Sequence, residues 1–192
     1  MLQGPLRGTD AARQKIWDAA RHVVPSGNEV TFADHEIIVS KTDLTGRITY
    51  ANDVFLRIAG YQEWEVMGAP HSLIRHPAMP RAVFKLLWDE LGRGNEVFAY
   101  VVNLARDGSH YWVYAHVTPS YDASGQVIGY HSNRRVPDRV LIKNVIEPLY
   151  KSVLDEEKKH KNGKQALAAS SALLESVWKD KGLTYGDLIL SL

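Results

Sequence analysis

The stretch VFAYVVNLARDGSHYWVYAHVTPSYDASGQVIGYHSNRRV, residues 97–136, decides the fold class. It divides into three runs rich in β-branched and aromatic residues: Val97 to Leu104, His110 to Thr118 and Val127 to Val136. Asp107-Gly108 and Asp122 to Gly125 lie between them. Runs of this composition, separated by such short turn signals, predict three strands joined as hairpins. In the middle run Tyr111, Val113, Ala115 and Val117 share one face, and Trp112, Tyr114 and His116 share the other. The second face is too aromatic for a solvent side. It calls for cover by an N-terminal arm, C-terminal helices or a second copy of the chain.

Upstream, Val83, Phe84, Leu87, Trp88 and Leu91 form a helical stripe, with Pro80 suited to the first turn and Gly92 and Gly94 to the end. Three prolines break residues 70–80 into turns. Further back, Ile37 to Ser40, the turn Asp43-Leu44-Thr45-Gly46, and Arg47 to Tyr50 read as another hairpin. Asn52 is placed to cap a short helix from Asp53 to Ile58 that Gly60 ends, and Gln62 to Met67 is a second helical piece. Two strands, short helices, one longer helix and three strands predict an α+β domain. Its sheet is antiparallel and five-stranded, with helices on one face.

The flanks read as helical. A leader (residues 1–9) precedes a helix capped at Thr9 or Asp10 and running to Val24. Beyond Pro137, Val140 to Leu154 is an apolar-periodic helix kinked at Pro148. Glu156 to Lys164 is a solvated charged run, and Gln165 to Lys179 is a second helix. The apolar tail from Leu183 to Leu190 is expected to dock on its own domain or on a partner. This organises the chain as an N-terminal helical arm (1–35), a central domain (36–137) and a C-terminal helical extension (138–192).

Composition narrows the function. Across 192 residues the formal net charge is +1, so no strong field points to nucleic acid or an anionic membrane. The absence of cysteine excludes disulfides, thiolate metal sites, cysteine nucleophiles and cysteinyl–flavin chemistry, and fits a reducing cytoplasm. No apolar run approaches a membrane span, and the N-terminus has no signal-peptide core. The sequence contains no GxSxG, HExxH, Walker A or GxGxxG pattern, and its eight histidines show no metal-ligand spacing. It is expected to be no enzyme, with no catalytic or metal-ligating residues.

Several local words then narrow the family. They are Thr42 to Gly46, Ile48 to Asp53, Gly60-Tyr61, Gly68 to His71, Ile74-Arg75-His76-Pro77-Ala78-Met79-Pro80, Asn103 to Gly108 with His110 to Val113, Gly129-Tyr130, and Ile146 to Tyr150. In this order and spacing they resemble the aerotaxis-transducer subfamily of PAS domains, over about residues 38–150. The resemblance implies a PAS fold, non-covalent FAD and reporting of redox state or oxygen to chemotaxis machinery. It also implies a stand-alone module that works with a separate chemoreceptor; with the aromatic outer face and the lack of cysteine and apolar spans, the chain is expected to be a soluble, cytoplasmic homodimer.

The same resemblance supplies a candidate cofactor set. Arg75 and His76 match the pair that helps hold FAD; a guanidinium can fork onto a diphosphate or a ring carbonyl. Asn103 stands where an amide faces the ring edge. Arg134 matches a flavin-facing polar position, where a cation would stabilise a reduced, anionic ring. His71 stands where photosensory relatives carry their reactive cysteine. Asn52, Trp88 and Tyr111 complete the set, with Asn52 also the helix cap and Trp88 also a packing residue. Two positions depart from the flavin pattern: Ala78 replaces an acidic residue, and Val97 a tryptophan. Two alternatives therefore stay open: haem b with His71 or His76 as axial ligand, and a cofactor-free interaction module.

Overall fold

The computed structural model describes residues 8–191, so most of the leader lies outside the described residues. Helix α1 (Asp10–Ala20) is capped by Thr9, whose Oγ1 accepts from the Ala12 amide. It ends one turn earlier than the sequence suggests, and Trp17 pins it by donating from Nε1 to the Glu65 carbonyl at 2.7 Å.

The central domain begins with β1 (Ile38–Thr42) and β2 (Ile48–Ala51). The helices α2 (Asp53–Ala59) and α3 (Glu63–Val66), a 3₁₀ turn (His71–Ile74) and α4 (Arg81–Gly92) follow. The strands β3 (Val97–Leu104), β4 (His110–Tyr121) and β5 (Val127–Arg135) complete a five-stranded sheet of order β2-β1-β5-β4-β3, antiparallel throughout. This is the α+β architecture that the strand spacing predicts. No helix among the described residues is long and apolar enough to cross a membrane.

The turns form for chemical reasons visible in the sequence. Asp43 Oδ1 accepts from the amides of Thr45 and Arg47, and Asp122 Oδ1 from those of Ser124 and Gln126. Gly46 and Gly125 then take positive φ, where a side chain would be strained. Strand β4 outlasts its expected end at Thr118. Pro119 is tolerated because β3 has already ended opposite Val117, so no neighbour on that side needs an amide donor.

The registers fix the inner face. Ile38, Arg134 and Ala115 lie in one cross-strand row, and Ser40, Ser132 and Val117 in the next. Strand periodicity places Asn103 and Tyr111, paired across β3 and β4, on the same face.

The C-terminal segment wraps the β3 edge. It comprises α5 (Arg139–Leu141), a π-helical turn (Ile142–Ile146), α6 (Glu147–Lys158), α7 (Gly163–Lys179) and α8 (Tyr185–Leu190). The expected kink at Pro148 is instead this π turn just before it. Proline has no amide hydrogen to donate, and the helical ladder re-registers by one residue. Tyr150 and Tyr185 donate their hydroxyls to the free edge carbonyls of Tyr100 (2.6 Å) and Phe98 (2.8 Å). Trp112 packs on Tyr150, so the C-terminal helices cover part of the aromatic outer face. In α8, Leu188 and Ile189 are buried, and the tail docks on its own chain.

Glu157 corrects the reading of residues 156–164 as a merely solvated run. Its Oε1 accepts from the amides of Arg81 (2.8 Å) and Ala82 (3.2 Å). Pro80 occupies the cap position of α4 and has no side-chain acceptor, so a carboxylate from α6 satisfies those donors.

Candidate functional site

A cavity of about 320 Å³ lies between the inner face of the sheet and α4. Phe84, Leu87 and Leu91 from α4 form its apolar wall, and Trp88 stands at its mouth, 42% exposed, edge-on to Tyr130 at 5.3 Å. The opposite wall, from the sheet, sets polar groups among the apolar Val101, Ala115 and Val117: Ser40 and Thr42 from β1, Asn103 from β3, and Ser132 and Arg134 from β5.

Arg134 dominates that wall. It is only 4% exposed. Its Nη2 donates to Ser40 Oγ and to His71 Nε2, both at 2.7 Å, and its guanidinium lies 5.7 Å from the Phe55 ring centre. No carboxylate pairs with it among the described residues, and its Nη1 has no partner. Burial lowers its pKa from 12.5 to about 10, opposed by the neighbouring Tyr111, and it stays charged at neutral pH.

His71 is the complement. Burial first, and the Arg134 charge second, push its imidazole down to about 3. It is therefore neutral, and Nε2 serves as the acceptor for Arg134. Ser40 Oγ, 3.1 Å from the same nitrogen, closes a three-membered polar cluster.

Arg134 Nη1 is one of five orphaned polar atoms in this region. Asn103 Nδ2, Ser132 Oγ, Thr42 Oγ1 and the Tyr111 hydroxyl are also buried without a partner. Such atoms are uncommon in folded proteins, and each asks for a partner. Four of the five, all but the Tyr111 hydroxyl, belong to residues that line this one cavity.

Five of the eight expected cofactor residues, His71, Arg75, Trp88, Asn103 and Arg134, line this cavity. Arg75 stacks on the Phe84 ring at 4.6 Å and donates to the Met79 carbonyl. Tyr111 is fully buried behind the wall, and burial raises its pKa above the usual phenol value. Asn52 lies elsewhere. Its Oδ1 accepts from the amides of Phe55 and Val39, and its Nδ2 donates to the Ile37 carbonyl, so it clamps α2 to β1. His76 also lies outside the wall. Its Nδ1 accepts from the Ala78 amide, and its ring sits 5.8 Å from that of His110. Ala78 is exposed in this outer turn, so the missing carboxylate takes nothing from the cavity wall. Sequence reasoning missed Ser40, Thr42 and Ser132. The signal was there: Ser132 is two residues from Arg134 on one strand, and strand alternation puts both on one face.

Residues 48–134 match the family model described as PAS fold. Over 133 residues, 69% of the chain, the sequence is 38% identical to the aerotaxis receptor of Escherichia coli K12. It is 29% identical to the nitrogen fixation regulatory protein of Klebsiella pneumoniae over 52% of the chain. The matched parts span 26% and 20% of those proteins, so the chain corresponds to about a quarter or less of each. Among solved structures, the light-state blue-light photoreceptor Aureochrome1 LOV superposes with a TM-score of 0.51 at 22% identity, covering 60% of this chain and 91% of that one. That likeness shows the fold.

Proposed function

The chain carries a PAS domain of the aerotaxis-receptor type, and from this premise we propose that it is a cytoplasmic sensor of redox state or oxygen that binds FAD non-covalently. The observation that carries the reading is the unpaired Arg134 guanidinium amid orphaned donors. Bound water can satisfy any of these atoms as a hydrogen-bond partner, but compensating the buried charge as well takes an anion or an electron-rich ring edge. Asn103 Nδ2 and Arg134 Nη1 are donors without acceptors, and the edge of an isoalloxazine offers carbonyl oxygens and ring nitrogens as acceptors. At about 320 Å³ the cavity sits at the low end of ligand pockets, roughly 300–1,000 Å³, so it suits the ring system and leaves the remainder of the dinucleotide outside.

When bound, the flavin would supply reversible electron transfer that changes the charge at its ring edge. The chain's own residues answer that change. Arg134 holds negative charge in a low-dielectric wall, where the interaction is strong. Its other bonds, to His71 and Ser40, weaken as it turns toward that charge. His71 opens the 3₁₀ turn that leads to Arg75, and Arg75 rests on Phe84 of α4. The signal leaves by protein–protein contact, in a homodimer and with a separate chemotaxis-type transducer. No turnover is involved.

Haem b fits this site less well. His71 Nε2 is taken up by Arg134 and Ser40, and His76 is not among the residues that line the cavity. A visible spectrum of the purified chain, before and after reconstitution with FAD, tests the proposal. Bands near roughly 370 and 450 nm are expected from a bound flavin. A Soret band instead, or a protein that stays colourless after reconstitution, would refute it.

A further inference from the structure

A second cavity, of about 440 Å³, adjoins the first, and Ser72 and Arg75 belong to the walls of both. Its floor is apolar, with Met79 and Leu104 from the central domain and Leu154 from α6. Its charged residues are Arg21, Arg75, Arg81 and Glu157. The carboxylate is already committed: Glu157 Oε1 accepts from the Arg81 and Ala82 amides and from Ser170 Oγ. The guanidiniums are not. Arg75 donates to a backbone carbonyl at 3.2 Å rather than to a carboxylate. Arg21, just past the end of α1, is paired only loosely with Asp18 at 3.8 Å. Three cations against one carboxylate leave a net charge of +2 around a partly apolar cleft. That matches the two negative charges of a diphosphate diester, and guanidinium forks suit phosphate oxygens.

We propose that this second cavity is the diphosphate subsite of the dinucleotide whose ring occupies the first, with Arg21 of the N-terminal arm and Arg81 of α4 as phosphate contacts alongside Arg75. The proposal rests on the flavin reading of the first cavity. It adds that a segment outside the PAS domain completes the binding site, so that α1, α4 and α6 all border the same ligand. It also gives the chain a means to prefer the dinucleotide over the bare ring.

The test is titration of the flavin-free full chain with FAD and, separately, with riboflavin, which has the ring system and no phosphate. Wild type should bind FAD at least about tenfold more tightly than riboflavin, the scale of one charge-assisted contact. Arg21→Gln and Arg81→Gln should each weaken FAD by about five- to tenfold and leave riboflavin binding unchanged. Equal affinity of the wild type for the two ligands would overturn the subsite. So would variants that change neither ligand, or weaken both alike; in each of these outcomes the flavin reading survives. A wild type that binds neither ligand refutes both.

Discussion

Arg134→Met removes the buried charge while keeping an unbranched side chain of similar reach against the Phe55 ring. The consequence for the ligand-free protein follows from the geometry. The fall of the guanidinium pKa from 12.5 to about 10 amounts to about 3 kcal/mol against the charged form at about 1.4 kcal/mol per pH unit. Arg134 is fully walled in, so solvent screens little of that cost. The folded value is the depressed one, so the penalty operates at all pH values below about 10, including neutral. Against it stand the bonds to Ser40 and His71 and the contact with Phe55. Ser40 and His71 still have each other at 3.1 Å, so their loss is about 1–2 kcal/mol rather than the full price of two stranded groups. The variant should therefore be more stable by about 1–2 kcal/mol when empty, or roughly 3–6 °C in melting temperature for a chain of this length. FAD should raise the melting temperature of the wild type more than that of the variant, because only the wild type has the cation at the ring edge. Thermal denaturation of both proteins, with and without FAD, decides the matter. An empty variant that melts at or below the wild type, or one that FAD stabilises equally, would refute the assignment of Arg134 as a charge held in reserve for a ligand.

Two further outcomes follow from single contacts. His71 has a folded pKa near 3 against 6.5 unfolded, so below pH 6.5 the unfolded chain takes up a proton that the folded chain refuses. Stability should fall by about 2 kcal/mol between pH 7.5 and 5 on this account and keep falling toward pH 3; denaturant midpoints across that range should be much flatter for His71→Gln, and parallel curves would contradict the buried, neutral imidazole. Glu157→Ala removes the borrowed cap of α4 and should cost about 1–2 kcal/mol, read as a lower melting temperature, with Glu157→Gln, which keeps an acceptor oxygen, losing less; an unchanged melting temperature in the alanine variant would contradict the cap.

The sheet was legible because its evidence is local. Asp43, Asp107 and Asp122 each accept from backbone amides of the turn they begin, and each lies next to or near the glycine that takes positive φ. Alternation along β4 likewise separates a cavity side from an aromatic side without reference to any other strand. The candidate site was legible only in part, because a site is a statement about neighbours across strands. The sequence places Arg134 on the inner face of its strand. It does not say that Ser40, ninety-four residues earlier, is in hydrogen-bond range of its guanidinium, or that no carboxylate arrives from any other element to pair with it. Those facts depend on register, and a slip of one residue between β1 and β5 would turn Ser40 away from the cavity and its neighbours toward it. The same reasoning explains Asn52 and His76. Both sit in words shared with the subfamily, and both are held by short-range bonds: Asn52 to Phe55, and His76 to Ala78. A residue whose polar atoms are already bonded to backbone, as Asn52 is to Val39 and Ile37 as well, has little left to offer a ligand. Arg134 and Asn103, whose donors the fold leaves empty, are where a ligand has the most to gain.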